Sequence, residues 1–517
     1  MKNPSVYTLL YNGSQHSEIS GEFSLPDYLP DVRKVLRVTS DPHITGKFMN
    51  GEHLELEGEV GITLIYFSEE QTVCAFSASL PFSQSVTVSG LDETAVITAH
   101  LHADGSTCRL TGPRKCTLRS RPVLYIRAAA QRDITPDTSS ISDASRLCVK
   151  TVPIPTADLI CIGKDSLRYA EDIAITDGVI TTVLSCTVIP TVAECRSSAG
   201  HAVCKGEFDI AALCAILTDK GCEYRSLHRR VPFSEVLEAD GITEVFRCEP
   251  DLTVTAVTPT VTEEGHNLGI DFSCDAAVIC AADRMTEIIT DAYLPDCDIR
   301  IQGEPQTVFR PLKTVIGAFS ASTTISHDPQ EHVHSVIDCS MHPSLERRDI
   351  KNGRLTLDGT MDVSLICSTE EGKYLPLSAS VPIHWDTDGS ALPDTSALIL
   401  YADCTVSGTT LRIDASTNSI VCDAELSVCL SVSAKETHAL PSALKVHTDS
   451  KISAQPRESL IFYYPEQNES VWDIAKRYRI TPQALISANA LDAQTETVTD
   501  GIPLIIPVCP LFAKMKA

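Results

Sequence analysis

The sequence predicts a mainly β chain: three tandem all-β, sandwich-like repeat modules followed by a small βααβ domain. Three observations carry this reading. A proline–glycine–proline spacing occurs three times, period-two apolar runs lie on it, and helical periodicity is nearly absent from residues 1 to 440. Pro42, Gly58 and Pro81 lie 16 and 23 residues apart, and Pro343, Gly359 and Pro382 repeat that spacing 301 residues on. Pro190, Gly206 and Pro232 match at an offset of 148 up to the glycine, then carry three extra residues. Internal repetition followed by a different module argues for a modular scaffold rather than a single-pocket enzyme.

The strands follow from parity. Leu54, Leu56, Val60, Ile62, Leu64 and Tyr66 share one parity, as do Leu355, Leu357, Met361, Val363, Leu365 and Cys367, and Ala202, Cys204, Phe208, Ile210, Ala212 and Cys214. Period two over that length marks a strand with one buried face. Gly58, Gly206 and Gly359 fall on the buried parity, which calls for a bulge or a close backbone approach. The modules are expected at 1–134, 146–284 and 285–436, each large enough for its own core, with a linker at 437–459 and the C-terminal domain at 460–509. One segment, SLPDYLPDVRKVL, spaces Leu29, Val32, Val35 and Leu36 as a short helix or turn would, and part of it returns as YLPDCDI. Asp27 and Asp31, each after a proline, read either as turn caps or as a partner-binding corner.

Composition narrows the function classes. A formal net charge of -26 disfavours nucleic acid and anionic membranes. The basic stretch Arg109–Arg132 is read as the solvent face of strands. No apolar run is long enough for a transmembrane helix and no signal peptide is visible, so a cytoplasmic setting is expected. Twenty cysteines without any C-x-x-C, many within apolar strand patterns, read as reduced thiols acting as small hydrophobes. His100-x-His102 and His332-x-His334 each offer half a zinc site without further ligands at the required spacing. Ile162-Gly163-Lys164 lacks the first glycine and the Ser or Thr of a phosphate loop. The expectation is no enzyme, no catalytic residues, no metal and no cofactor.

From Ser459 the text changes. An apolar strand leads to Ser470-Val-Trp-Asp473, a capping box with Asp for Glu, and Val471, Ile474, Ala475 and Tyr478 share one helical face. Thr481 caps a second helix with Pro482 at its first position, and Gly501 and Leu504–Pro507 close with a strand. Trp472, Ile474, Ala475, Leu485 and Ile506 are read as the core. Gln467, Asn468, Glu469 and Ser470, with Asn489, Ala490, Leu491 and Asp492, form two polar loops that could meet a partner or a glycan.

This segment resembles a LysM domain, at Asn468-Glu-Ser-Val-Trp-Asp-Ile-Ala475, at Thr481-Pro482 with Leu485 and Asn489, and at Gly501 with Leu504 and Ile506-Pro507. Asn468 stands where the family has glycine, and the second loop is longer than usual. The resemblance implies binding of N-acetylglucosamine-containing glycans in the groove between the loops. LPDYLPDVRKVL with the repeat spacing is similar to the SPOCS domain of sporulation proteins, and the domain order resembles the SipL-like family of spore-coat morphogenetic proteins. That resemblance implies an adaptor of spore coat assembly in the mother cell at the forespore surface, docking the coat ATPase SpoIVA through its LysM domain. The alternative it leaves open is a peptidoglycan-binding protein or a cell-wall hydrolase accessory.

Overall fold

The computed structural model describes residues 4–262, 264–328, 330–392, 397–414, 416–446, 461–492, 496–498 and 502–507. Strands make up 76% of it and helices 4%, so the chain is mainly β. Each alternating run is the middle strand of a three-stranded antiparallel sheet. His53–Ser68 lies between Val32–Asn50 and Val73–Thr87, His201–Thr218 between Val179–Ser198 and Gly221–Glu238, and Arg354–Thr369 between Val333–Lys351 and Tyr374–Asp388. The eighteen residues of shared parity are all buried. The repeat prolines sit in outer strands, the places in a sheet where a residue without an N–H is tolerated. Pro42, Pro190 and Pro343 face Val60, Phe208 and Met361, and Pro81, Pro232 and Pro382 face Glu59, Glu207 and Thr360.

Close backbone approach explains the repeat glycines. A Cβ on Gly58 would lie 2.3 Å from the His43 carbonyl oxygen, on Gly206 2.0 Å from that of Thr191, and on Gly359 2.1 Å from that of Ser344. In each case the facing strand shifts register beside the glycine, at Ile44/Gly46, opposite Lys205/Gly206 and at Leu345/Arg347. A bulge bends the outer strand inward and leaves no room for a side chain beneath it.

A second layer covers each of these sheets. Arg247–Val261, Asn267–Tyr293 and Cys148–Ala174 form a sheet whose inner residues Phe272, Cys274 and Val278 pack on Phe208 and Ile210. A seven-stranded sheet covers the other two, in the order Leu398–Asp414, Ser419–Val446, Ile299–Ser326, Ser5–His16, Lys115–Asp133 and Ile19–Ser24, with Val96–Gly112 also on Lys115–Asp133. Its two halves join between Ser5–His16 and Ile299–Ser326, in register at Thr8 and Val308. The strands overrun the expected boundaries: position 284 falls inside Asn267–Tyr293, and 436 inside Ser419–Val446. Of the expected linker, 437–446 continues that strand and 447–459 lies outside the described residues.

Beyond their own cores, the repeats meet at equivalent positions. Leu36, Leu184 and Ile337, at offsets of 148 and 301, share one cluster with Ile65, Leu213 and Ile366 at the same offsets. Val73, Tyr224 and Tyr374 join them, and the Tyr224 hydroxyl accepts the Val73 N–H at 2.8 Å. Beside this cluster Arg37 pairs with Asp338, 301 residues on, and both side chains are 7% exposed. The segment from Leu25 to Leu36 is a turn, with the Leu29 N–H donating to the Pro26 carbonyl, and then a strand from Val32. All nineteen described cysteines are free thiols, and Cys509 lies outside the described residues. Among the described residues no helix is long and apolar enough to cross a membrane.

Candidate functional site

The C-terminal domain is built by its caps. The Ser470 hydroxyl oxygen accepts the Asp473 N–H at 3.0 Å and starts helix α1, Val471–Tyr478, which Arg479 ends in the left-handed region. Thr481 accepts the Ala484 N–H at 3.2 Å and starts helix α2, Pro482–Ala488. Val471, Ile474, Ala475, Ile480 and Leu485 pack on Leu504 and Ile506 of a two-stranded sheet, Ile461–Tyr463 with Leu504–Ile506. Hydrogen bonds tie the two polar loops into one edge: Val471 N–H to the Glu496 carbonyl at 2.9 Å, and Val498 N–H to that of Glu469 at 3.0 Å.

Within that edge the residues divide. Glu469 is spent internally, accepting from the Tyr463 hydroxyl at 2.6 Å and pairing with Arg477 at 2.7 Å, and its side chain is 10% exposed. Asn489 braces the second loop. Its amide nitrogen donates to the Leu485 and Ile505 carbonyls, and its amide oxygen accepts the Ile505 N–H at 2.6 Å. Leu491 packs on the core, and Ser470 is the cap. Gln467, Asn468, Ala490 and Asp492 are exposed, with Asn468 and Ala490 in the left-handed region. Residues 493–495 and 499–501 of the second loop lie outside the described residues.

Trp472 lies half-buried outside this core cluster and meets the β body. Its ring packs edge-on against Tyr293 with centroids 5.0 Å apart, and its indole N–H donates to Asp291 Oδ2 at 2.8 Å. Lys476 Nζ reaches both Asp291 oxygens at 2.7 Å, Arg479 pairs with Asp298, and the Tyr293 hydroxyl donates to the Ile480 carbonyl at 2.5 Å.

A family model for the SipL SPOCS domain matches residues 31–108, and one for the LysM domain matches 466–507. The chain carries a SPOCS domain and a C-terminal LysM domain. Neither the curated proteins nor the solved structures gave a match. The SPOCS match spans the first three-stranded sheet and most of Val96–Gly112. SPOCS and LysM are non-catalytic binding domains, and together they mark a sporulation-related protein with a module of the peptidoglycan-binding kind.

The remaining sequence candidates sit in strands. His100 Nδ1 lies 3.6 Å from Asp251 and its ring stacks on Tyr401, while His102 Nε2 lies 3.9 Å from Asp403. His332 and His334 are exposed. Among the described residues no group of three or more His, Cys, Asp or Glu could hold a metal ion. Lys164 lies within Cys148–Ala174 and pairs with Glu235 at 3.3 Å.

Spacing in the sequence does not bring the LysM domain to its seat on Asp291, Tyr293 and Asp298. Its available signal was the return of Tyr-Leu-Pro-Asp at 293–296. Burial alone would raise the Asp291 carboxyl, but Lys476 and the Trp472 indole outweigh it and hold the carboxyl below its ordinary value near 3.8. A depressed folded-state value means that this contribution is complete above the ordinary value and is lost as pH falls through the lowered one. At neutral pH Asp291 is therefore ionised and its bonds to Lys476 and Trp472 are at full strength. Asp291→Ala is expected to shift Trp472 emission to the red and increase its collisional quenching at neutral pH, with buried Trp385 as a constant background. In the parent the same change should appear only in strong acid.

Proposed function

We propose that this chain is a non-enzymatic adaptor of spore coat assembly, acting in the mother cell at the forespore surface. Three SPOCS-like β units make the body, and the LysM domain docks a protein partner, with the coat ATPase SpoIVA as the candidate. The observation that carries this reading is the division of labour on the LysM domain. One side of α1 is committed to the β body through Trp472, Lys476 and Arg479, while the two joined loops leave Gln467, Asn468 and Ala490 exposed at one edge. A domain held on the β body by one side and open on another suits a bridging role, because preorganisation lowers the entropy lost on binding.

Glu469 does not belong to the contact surface in this reading, since its carboxylate already holds Tyr463 and Arg477. The test is the paired change Gln467→Arg and Ala490→Glu. Capture of purified SpoIVA should fall about tenfold or more, as for loss of central interface contacts, with Trp472 emission unchanged. Unaltered capture would remove the loops from the interface. The family match also favours a second reading, in which this edge binds peptidoglycan glycan. Co-sedimentation of the same variants with peptidoglycan distinguishes the two readings.

A further inference from the structure

The tetrapeptide Tyr-Leu-Pro-Asp occurs twice, at 28–31 and at 293–296, each time shortly before a strand. In both places an arginine from elsewhere in the chain clamps the aspartate. Arg114 Nη1 lies 2.9 Å from Asp31, and Arg146 Nη1 lies 2.8 Å from Asp296. The second corner is occupied: Tyr293 receives Trp472 and the C-terminal end of α1, with Asp291 taking Lys476 and Asp298 taking Arg479. At the first, Tyr28 is 83% exposed, the most of any large apolar or aromatic side chain described, and the Asp27 carboxylate beside it is fully exposed, with Arg114 Nη2 4.0 Å away at the edge of ion-pair range.

We propose that the corner Pro26–Asp31 is a docking site for a helix of a partner protein, one that presents an aromatic residue to Tyr28, a lysine or arginine one turn on to Asp27, and an acidic residue to Arg33. The first two demands follow what α1 brings to the second corner, although Asp27 stands one residue before its tyrosine and Asp291 two before Tyr293. The third comes from a difference between the corners. Counted from the tyrosine, Arg33 stands where the second corner has Asp298, so a helix ending like α1, in Arg479, would meet a like charge. The chain's own LysM domain is thereby directed to Tyr293, and a helix of opposite charge at that end to Tyr28. Specificity of this kind needs a repulsive element as well as an attractive one, and Arg33 supplies it.

The corner is built to hold its shape. Arg114 donates to the Leu29 carbonyl at 2.8 Å and to that of Pro26 at 2.7 Å, and the Tyr66 hydroxyl donates to the Pro30 carbonyl at 3.0 Å. Leu25 and Val32 N–H groups close it onto Arg114 and Pro113. A solvent-exposed tyrosine on so fixed a backbone offers a large amphipathic contact at small entropic cost, the profile of an interface anchor.

The test uses the full chain and a fluorescein-labelled, hydrocarbon-stapled helical peptide that copies residues 470–480 with glutamate in place of Arg479. Fluorescence anisotropy should show saturable binding to the parent chain. Tyr28→Ala and, separately, Asp27→Lys should each weaken it by about tenfold or more. Arg33→Glu should reverse the preference, favouring the peptide that keeps arginine. Tyr28 lies outside the core clusters, so unchanged thermal melts of the variants will show that the fold is intact. Absence of saturable binding, or equal binding by the Tyr28→Ala and Asp27→Lys chains, would overturn the proposal.

Discussion

Replacing Arg37 by alanine is expected to destabilise the β body by about 3–5 kcal/mol, because it leaves the Asp338 carboxylate buried without its counter-charge. The two positions are equivalents in the first and third repeats, so the pair is a charge-swapped contact across what would otherwise be a symmetric junction. The double change Arg37→Met with Asp338→Leu should recover most of the loss, since an apolar pair of similar size needs no desolvation. Urea denaturation checks both. A single variant as stable as the parent would mean that water reaches Asp338, and the junction between the repeats would then be looser than described.

Gly206→Ala should cost about 3 kcal/mol, because the new methyl group would sit 2.0 Å from the Thr191 carbonyl oxygen and can be housed only by moving backbone. Gly58→Ala and Gly359→Ala meet the same obstacle at 2.3 and 2.1 Å. Gly163 supplies the control. It lies exposed in a strand with nothing within 4 Å of an added Cβ, so Gly163→Ala should stay within about 0.5 kcal/mol of the parent. Chemical denaturation of the four variants side by side measures the contrast. Equal stability of Gly206→Ala and Gly163→Ala would remove the steric account of the repeat glycines.

The strands were legible because each middle strand buries one face, which writes period two into the text. The same rule hid the junction of the repeats. Ile65, Leu213 and Ile366 lie on the parity that an isolated sandwich turns to water, yet all three are buried where the repeats meet. An apolar residue recurring on the outward parity at one repeat position was the available signal. The LysM core was readable from caps and helical spacing, whose partners lie within one or two turns. Trp472 was not, because the reason for its place is Tyr293 and Asp291, nearly two hundred residues earlier. Glu469 looked like a loop charge for the same cause: its exposure depends on Tyr463 and Arg477, which spacing alone does not bring to it.

The adaptor reading is tested most directly by capture of purified SpoIVA with two immobilised proteins, the full chain and a chain ending at Val446, with peptidoglycan co-sedimentation run in parallel. The account predicts that the full chain captures SpoIVA, that the shortened chain keeps its β fold and captures none, and that Asp291→Ala, which removes the Trp472 and Lys476 bonds of the seat and leaves the loops unchanged, still captures it. Full capture by the chain ending at Val446, or retention of peptidoglycan but not of SpoIVA by the full chain, would contradict it.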